Sequence, residues 1–231
     1  MLFRSAPGNH DYGTPGAAGY FHYFGAAAGD PEKGYYSYDL GAWHIIVLNS
    51  NCAKVGGCQP GSPQEQWLRA DLAAHPAACT LAYWHHPLFT SGTHTRDSDL
   101  KQMRAFWQDL YETGADVVIN GHDHDYERFA PQDPNGLRDA KRGIREFVAG
   151  TGGKDLGRFV TRLPNSKVRS QTAFGVLKLT LHPTSYEWEF VPVHGQTFTD
   201  SGHASCHRAG ATGPHHERSD TKTPAPAPAA K

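Results

Sequence analysis

The chain has no long apolar run. Nowhere do 18 or more apolar residues follow one another, which argues against a membrane-spanning helix. It also lacks an excess of charge of either sign, with 22 Lys and Arg against 23 Asp and Glu and a formal net charge of -1. That balance argues against the basic surface a nucleic-acid partner needs. No C-x-x-C pair occurs among its 4 cysteines, so the zinc-ribbon pattern is missing. The glycine-rich run at residues 150–153 is not followed by Lys and Ser or Thr, so it is no phosphate-cradling P-loop and is expected to be a tight turn after a strand. No secretory leader opens the sequence as given, and that decides nothing about its compartment.

What is present is a single domain's worth of core and a surplus of histidine. At 231 residues and 38% hydrophobic, the chain can bury a substantial interior. Its 15 histidines are unevenly placed. Val117, Val118 and Ile119 form a short apolar run that ends in Asn120-Gly121 and then presents His122 and His124. Such a run predicts a buried strand, with Gly121 turning the chain sharply at its carboxyl end. Ligand sites of open α/β sheets lie at strand carboxyl ends, and imidazole is a common metal ligand. A second apolar run, Leu81 to Trp84, ends in His85-His86-Pro87, and a third turn carries Asn9, His10 and Asp11 after Pro7-Gly8. His203, His207, His215 and His216 fall late in the chain and are expected to be solvated bystanders.

The intervening pattern puts two of these clusters on one edge. Residues 35–39 and 43–49 predict a hairpin with a buried second strand. Ser62, Pro63 and Glu65 then match the N-cap, N1 and N3 positions of a helix that ends at His75-Pro76. A strand at 80–84, a helix at about 99–113 closed by Gly114, and a strand at 116–119 follow. Strand–helix–strand alternation implies a largely parallel sheet with a common carboxyl edge. Residues 129–142 are expected to be a polar loop, and 144–149, 175–181 and 185–193 predict strands without helices, hence a second, antiparallel-rich sheet. Tyr186, Trp188 and Phe190 alternate with acids and are expected to be core packing. Cys52 and Cys58 bracket a short flexible loop that a disulfide could close, against free thiols or half a zinc site. Cys79 is expected to be an inert core residue, and Cys206 has no assignment from sequence.

G-N-H-D at residues 8–11, H-x-P at 85–87 and G-H-x-H at 121–124 come in the order found in calcineurin-like metallophosphoesterases, which this chain resembles over roughly residues 5–195. Tyr126-Glu127-Arg128 extends the last motif into a form similar to the purple acid phosphatase branch. The resemblance implies an α/β fold, the metallophosphoesterase-type four-layer α/β/β/α sandwich of two mixed sheets. It also implies metal-dependent hydrolysis of small-molecule phosphate esters, with metal-activated water as the nucleophile. Carried onto this chain, Asn9, His85 and His122 bind one metal and His124 binds the other. The metals implied are Fe, Zn or Mn, paired in the family. His10 faces the substrate oxygen, and His94, nine residues beyond His85, contacts phosphate, although Thr95 stands where a further His is often found. His86 is expected to pack behind the ligands, and Asp11 and Asp123 to orient neighbouring imidazoles.

The family's first two motifs, which supply an Asp and a metal-bridging Asp, lie upstream of G-N-H-D, and nothing before Asn9 can take their place. An N-terminally truncated domain is therefore expected over 1–200, with residues 2–7 as strand interior and 201–231 as a disordered Pro/Ala-rich tail. Such a chain is expected to hold at most one metal and to expose apolar edges at 45–48 or 117–119. A catalytically impaired remnant is the alternative to an active enzyme. A metallo-β-lactamase-type hydrolase is the weaker rival, because His124 is followed by Asp125-Tyr126-Glu127 with no third His in place. A secreted or extracellular protein is implied by the resemblance and by a Cys52–Cys58 disulfide.

Overall fold

The computed structural model describes residues 4–207. Its larger sheet has seven strands: β1 (Tyr36–Leu40), β2 (Trp43–Val47), β3 (Cys79–Tyr83), β4 (Val117–Asn120), β5 (Tyr126–Phe129), β6 (Arg145–Ala149) and β7 (Ser166–Ser170). Their order is β1-β2-β3-β4-β6-β5-β7. The inner strands β2, β3, β4 and β6 run parallel, while β1 and the β5–β7 pair are antiparallel to their neighbours. A smaller antiparallel sheet orders β10 (Ser201–Ser205), β9 (Ser185–Pro192) and β8 (Gly175–His182).

Alternation along the strands builds two cores. On one face, Ile46, Ala82, Trp84 and Val118 pack beneath helices α2 (Pro63–Ala74) and α3 (Arg104–Glu112) through Leu68, Phe106, Trp107 and Leu110. On the other face, Ile45, Leu81, Val117 and Phe147 meet Tyr186, Trp188 and Phe190 of the smaller sheet. The aromatic stripe is thus core, as its period of two requires. The two-sheet sandwich is present, with α2 and α3 outside the larger sheet and the outer face of the smaller one exposed at Val176 and Val191.

Helix α2 starts where its capping residues say it should. Ser62 Oγ accepts from the Glu65 N–H at 3.3 Å, and the Glu65 carboxylate accepts from the Gly61 N–H at 2.9 Å. The helix expected over 99–113 opens as a 3₁₀ turn, Ser98–Met103, before α3 begins. Helix α1 (Ala18–Phe24) was not expected. It packs Tyr20 and Phe21 against Ala17 and Ala28 in a small cluster of its own.

Four expectations need correction. Residues 4–7 carry no strand. Residues 45–48 and 117–119 are not exposed edges, since β2 lies between β1 and β3 and β4 between β3 and β6. The segment from 201 is not all tail: Ser201–Ser205 pairs with β9, while residues 208–231 lie outside the described residues. Cys79 is no free core thiol, because it forms a disulfide with Cys206, which gives Cys206 its role of pinning β10 to the start of β3. The Cys52–Cys58 disulfide is present as expected. On the chain-entropy account, the span of 127 residues closed by Cys79–Cys206 is worth about 2–3 kcal/mol more than the span of 6 closed by Cys52–Cys58.

At the amino end of β2, away from the histidine motifs, His44 is buried between two carboxylates. Asp39 and Asp71 each approach one ring nitrogen at 2.8 Å. Burial alone would depress this imidazole, but the hydrogen bonds to Asp71 and Asp39 outweigh it and hold its pKa above the ordinary value of 6.5. Burial opposes the charged form of Asp71 in turn, and its bonds with His44 and Ser37 outweigh that and hold it low. The pair therefore stabilises the fold between the lowered Asp71 value and the raised His44 value. Its His44 share is full below about pH 6.5 and is lost as pH climbs through the folded value. We predict that His44→Ala costs about 2 kcal/mol near pH 6. Thermal melts should show the gap from wild type narrowing toward pH 9, and a gap independent of pH would contradict the pairing.

Candidate metal centre

The carboxyl edge of the parallel strands gathers all three sequence clusters. After β3 and β4 the pairing continues beyond the ladder, with the Trp84 N–H donating to Ile119 O at 3.2 Å and the Gly121 N–H to His85 O at 3.0 Å. The turn after β4 is made by His122 itself, whose φ is 66°, and not by a left-handed Gly121. A non-glycine residue with positive φ carries strain, which His tolerates better than most residues. The Asp123 N–H donates to Gly121 O at 2.8 Å and closes this turn.

The Gly8 turn is brought to the same place by the segment after β2. Asn51 donates from Nδ2 to Pro7 O at 3.1 Å, and Asn49 donates to the Tyr12 hydroxyl at 2.7 Å. Within the turn, the Asp11 carboxylate accepts from the Gly8 N–H at 2.7 Å. Gly8 packs tightly on His85, since a Cβ there would sit 3.0 Å from the ring and the ring would have to give by a few tenths of an ångström.

Three of the expected ligands converge. His85 Nε2 lies 2.8 Å from Asn9 Oδ1 and 3.2 Å from His122 Nδ1. Burial, then the neighbouring His86, His122, His10 and His124, push the His85 pKa down to about 3, so its ring is neutral and keeps a lone pair for a cation. His122 is pushed down by burial and by His94. His86 belongs to the cluster more closely than expected, since its donor atom and those of His85 and His122 lie within 4.8 Å of one another. Ser50 Oγ holds His86, 2.8 Å from Nδ1 and accepting from the backbone N–H at 3.0 Å.

His94 arrives on the loop after β3 and lies against His122, with ring centroids 4.1 Å apart. Asp97 joins the two, 2.8 Å from His94 Nδ1 and 3.5 Å from His122 Nε2. Sequence reasoning missed Asp97, and its only signal is a carboxylate three residues after His94. It missed Asn49, Ser50 and Asn51 as well, although a polar Asn-Ser-Asn run straight after a buried strand marks that strand's carboxyl end. His10 and His124 lie outside the convergence. His10 is exposed at the start of the Asp11–Gly13 turn, and His124 uses its carbonyl to accept from the Gly157 N–H at 2.8 Å. Both contribute to the lowering of the His85 pKa.

Asp11 accepts from the Gly8 N–H, and Asp123 from the Thr90 hydroxyl and the His94 backbone N–H, so these bonds act on the chain around the histidines and not directly on their rings. Asp123 faces the loop at residues 90–94, as does Glu127. Between them Asp125 is fully buried with neither oxygen hydrogen-bonded. Burial first, then the Asp123 and Glu127 charges, push its carboxyl up to about 8, so it stays protonated at neutral pH.

The calcineurin-like phosphoesterase family model matches residues 3–126, more than half of the chain and all three motif clusters. The chain belongs to the calcineurin-like phosphoesterase family. It is 34% identical over 105 residues to purple acid phosphatase 15 of Arabidopsis thaliana, covering 44% of this chain and 19% of that protein. It is 28% identical over 182 residues to human acid phosphatase type 7, covering 66% of this chain and 40% of that protein. Among solved structures, a purple acid phosphatase from yellow lupin (Lupinus luteus) seeds superposes with a TM-score of 0.68 at 20% identity, over 88% of this chain and 39% of that one. A dimetal phosphatase from Danio rerio gives 0.56 at 13% identity, over 88% and 72%. These likenesses show the fold. The chain spans between about a fifth and two-fifths of the length of the two curated relatives.

Since family membership implies a bound metal, the His85 environment is its most direct probe. We predict that Gly8→Ala, by pushing on the His85 ring, weakens metal binding about tenfold while leaving the circular dichroism spectrum intact. Zinc titration by calorimetry reads the effect, and unchanged affinity would remove His85 from the ligand set.

Proposed function

We propose that this chain takes part in hydrolysing small phosphate esters at a transition-metal site built on Asn9, His85 and His122. The observation that carries the reading is the approach of Asn9 Oδ1 and His122 Nδ1 to a single nitrogen of a neutral His85. An amide oxygen and two imidazoles suit Zn, Fe or Mn, and they would hold the ion from three separate turns. His124, one residue beyond His122, is the candidate donor toward a second ion, as the family's motif implies. When bound, the cation supplies positive charge for the phosphoryl oxygens and makes a water acidic enough to attack.

The remaining residues bind and orient. Asp97 accepts from His94 Nδ1 and fixes the ring beside His122, where its imidazolium form would donate from Nε2 to a phosphoryl oxygen. His10 is exposed at the mouth of the site and is the candidate for proton exchange with the leaving-group oxygen. Both disulfides support an oxidising, extracellular setting for this chemistry, because all four cysteines are paired. No helix among the described residues is long and apolar enough to cross a membrane.

The test is hydrolysis of p-nitrophenyl phosphate by the purified chain with added Zn, Fe or Mn. Turnover should be stopped by a chelator and lowered at least about 100-fold by His122→Ala. His44→Ala, at the far end of β2, should retain it when assayed below its melting temperature. Turnover that survives both the chelator and His122→Ala would refute the reading.

A further inference from the structure

Asp123 and Asp125, in the bend before β5, and Glu127, within β5, are all buried and all lie against the 90–94 loop. Burying a carboxylate is costly unless donors compensate it. Nearly every compensating donor here comes from one segment, residues 90–94. Thr90 Oγ1 donates to Asp123 Oδ2 at 2.6 Å, and the His94 N–H donates to Asp123 Oδ1 at 3.1 Å. The Ser91 N–H and hydroxyl donate to the two Glu127 oxygens at 2.7 and 2.6 Å. Between these anchors Gly92 lies flat on the row, where a Cβ would overlap the Asp123 and Asp125 carboxylates. From the other side, the N–H groups of Val160 and Thr161 donate to Ser91 O at 3.0 and 3.2 Å.

We infer that this acidic row is a seat for the 90–94 loop, and that Asp123 is a positioning residue that sets His94 over the metal centre. The inference rests on the reading that His94 contacts the phosphoryl group. Asp123 lies in sequence between His122 and His124. Its two bonds therefore tie the backbone of His94 to the same turn that carries the ligands. The His94 ring then stands against His122, with Asp97 holding its Nδ1 from beyond. A misplacement of about 1 Å at a substrate-contacting group costs on the order of 100-fold in rate. Asp123→Asn keeps the size of the side chain but replaces one acceptor oxygen by an NH2 that faces a donor. Gly92→Ala disturbs the same seat from the opposite partner.

Two measurements on the metal-loaded chain test this. In amide hydrogen exchange, Asp123→Asn and Gly92→Ala should each speed exchange in residues 90–94 at least about tenfold, with β3 and β4 unchanged. Unchanged exchange in the loop would overturn the seat. In p-nitrophenyl phosphate kinetics, each variant should lower kcat/KM about 10- to 100-fold with unchanged metal content. In a His94→Ala background the further loss should be under about twofold, because the positioned group is gone. Losses that multiply fully with His94→Ala would overturn the positioning role. If His94→Ala alone leaves kcat/KM unaltered while exchange in the loop still quickens, the substrate role of His94 fails and the seat stands.

Discussion

The β3–β4 pairing does not stop at the end of the ladder. Beyond the register of Tyr83 with Ile119, the Trp84 N–H reaches Ile119 O, Asn120 Nδ2 reaches Trp84 O, and the Gly121 N–H reaches His85 O. Because the two strands are parallel, both chains leave the sheet at one edge, and these bonds carry the register into the turns. His85 and His122 approach to 3.2 Å for that reason. A slip of one residue would send alternate side chains to the wrong face and separate them. The register is held from below by Ala82 and Val118 under the helices and by Leu81 and Val117 under the smaller sheet.

Charge is sorted around this seam. The imidazoles lie together on the edge, where burial and mutual repulsion keep His85 neutral and push His122 down. The carboxylates lie one row away on the approach to β5, where they meet hydroxyl and backbone donors, the His94 N–H among them. Asp97 crosses between the two sets, and it does so from an exposed position where solvent screens it. A neutral, lone-pair-bearing cluster beside an acidic row whose outer members, Asp123 and Glu127, are bonded to the loop is an arrangement that favours a cation on the edge and order in the loop.

Much of this was legible in the sequence, and what was not has physical reasons. Strands β2, β3 and β4 announce themselves because both faces are buried, and α2 because Ser62 and Glu65 each satisfy a terminal N–H and Pro63 removes one. The candidate ligands Asn9, His85 and His122 were legible because each stands where a strand or turn must stop. Helix α1 was not, because it starts from a left-handed Ala17 with no side-chain cap and lies in a glycine- and alanine-rich stretch. Strand β7 is an edge strand carrying Lys167 and Arg169, and β10 is built of small and polar residues, so neither shows an apolar pattern. The Cys79–Cys206 disulfide spans 127 residues and has no local signature. His86 and Asp97 entered the cluster through tertiary contacts alone.

The central claim is that three separate turns share one cation. Anomalous diffraction at the zinc edge from a crystal of the zinc-loaded chain tests it most directly. The account predicts a peak within bonding distance, about 2.0–2.2 Å, of Asn9 Oδ1, His85 Nε2 and His122 Nδ1. His44, Asp71 and His75, whose donor atoms also lie within 4.8 Å of one another, are the internal comparison. A peak on that group with none at His85 and His122 would contradict the account.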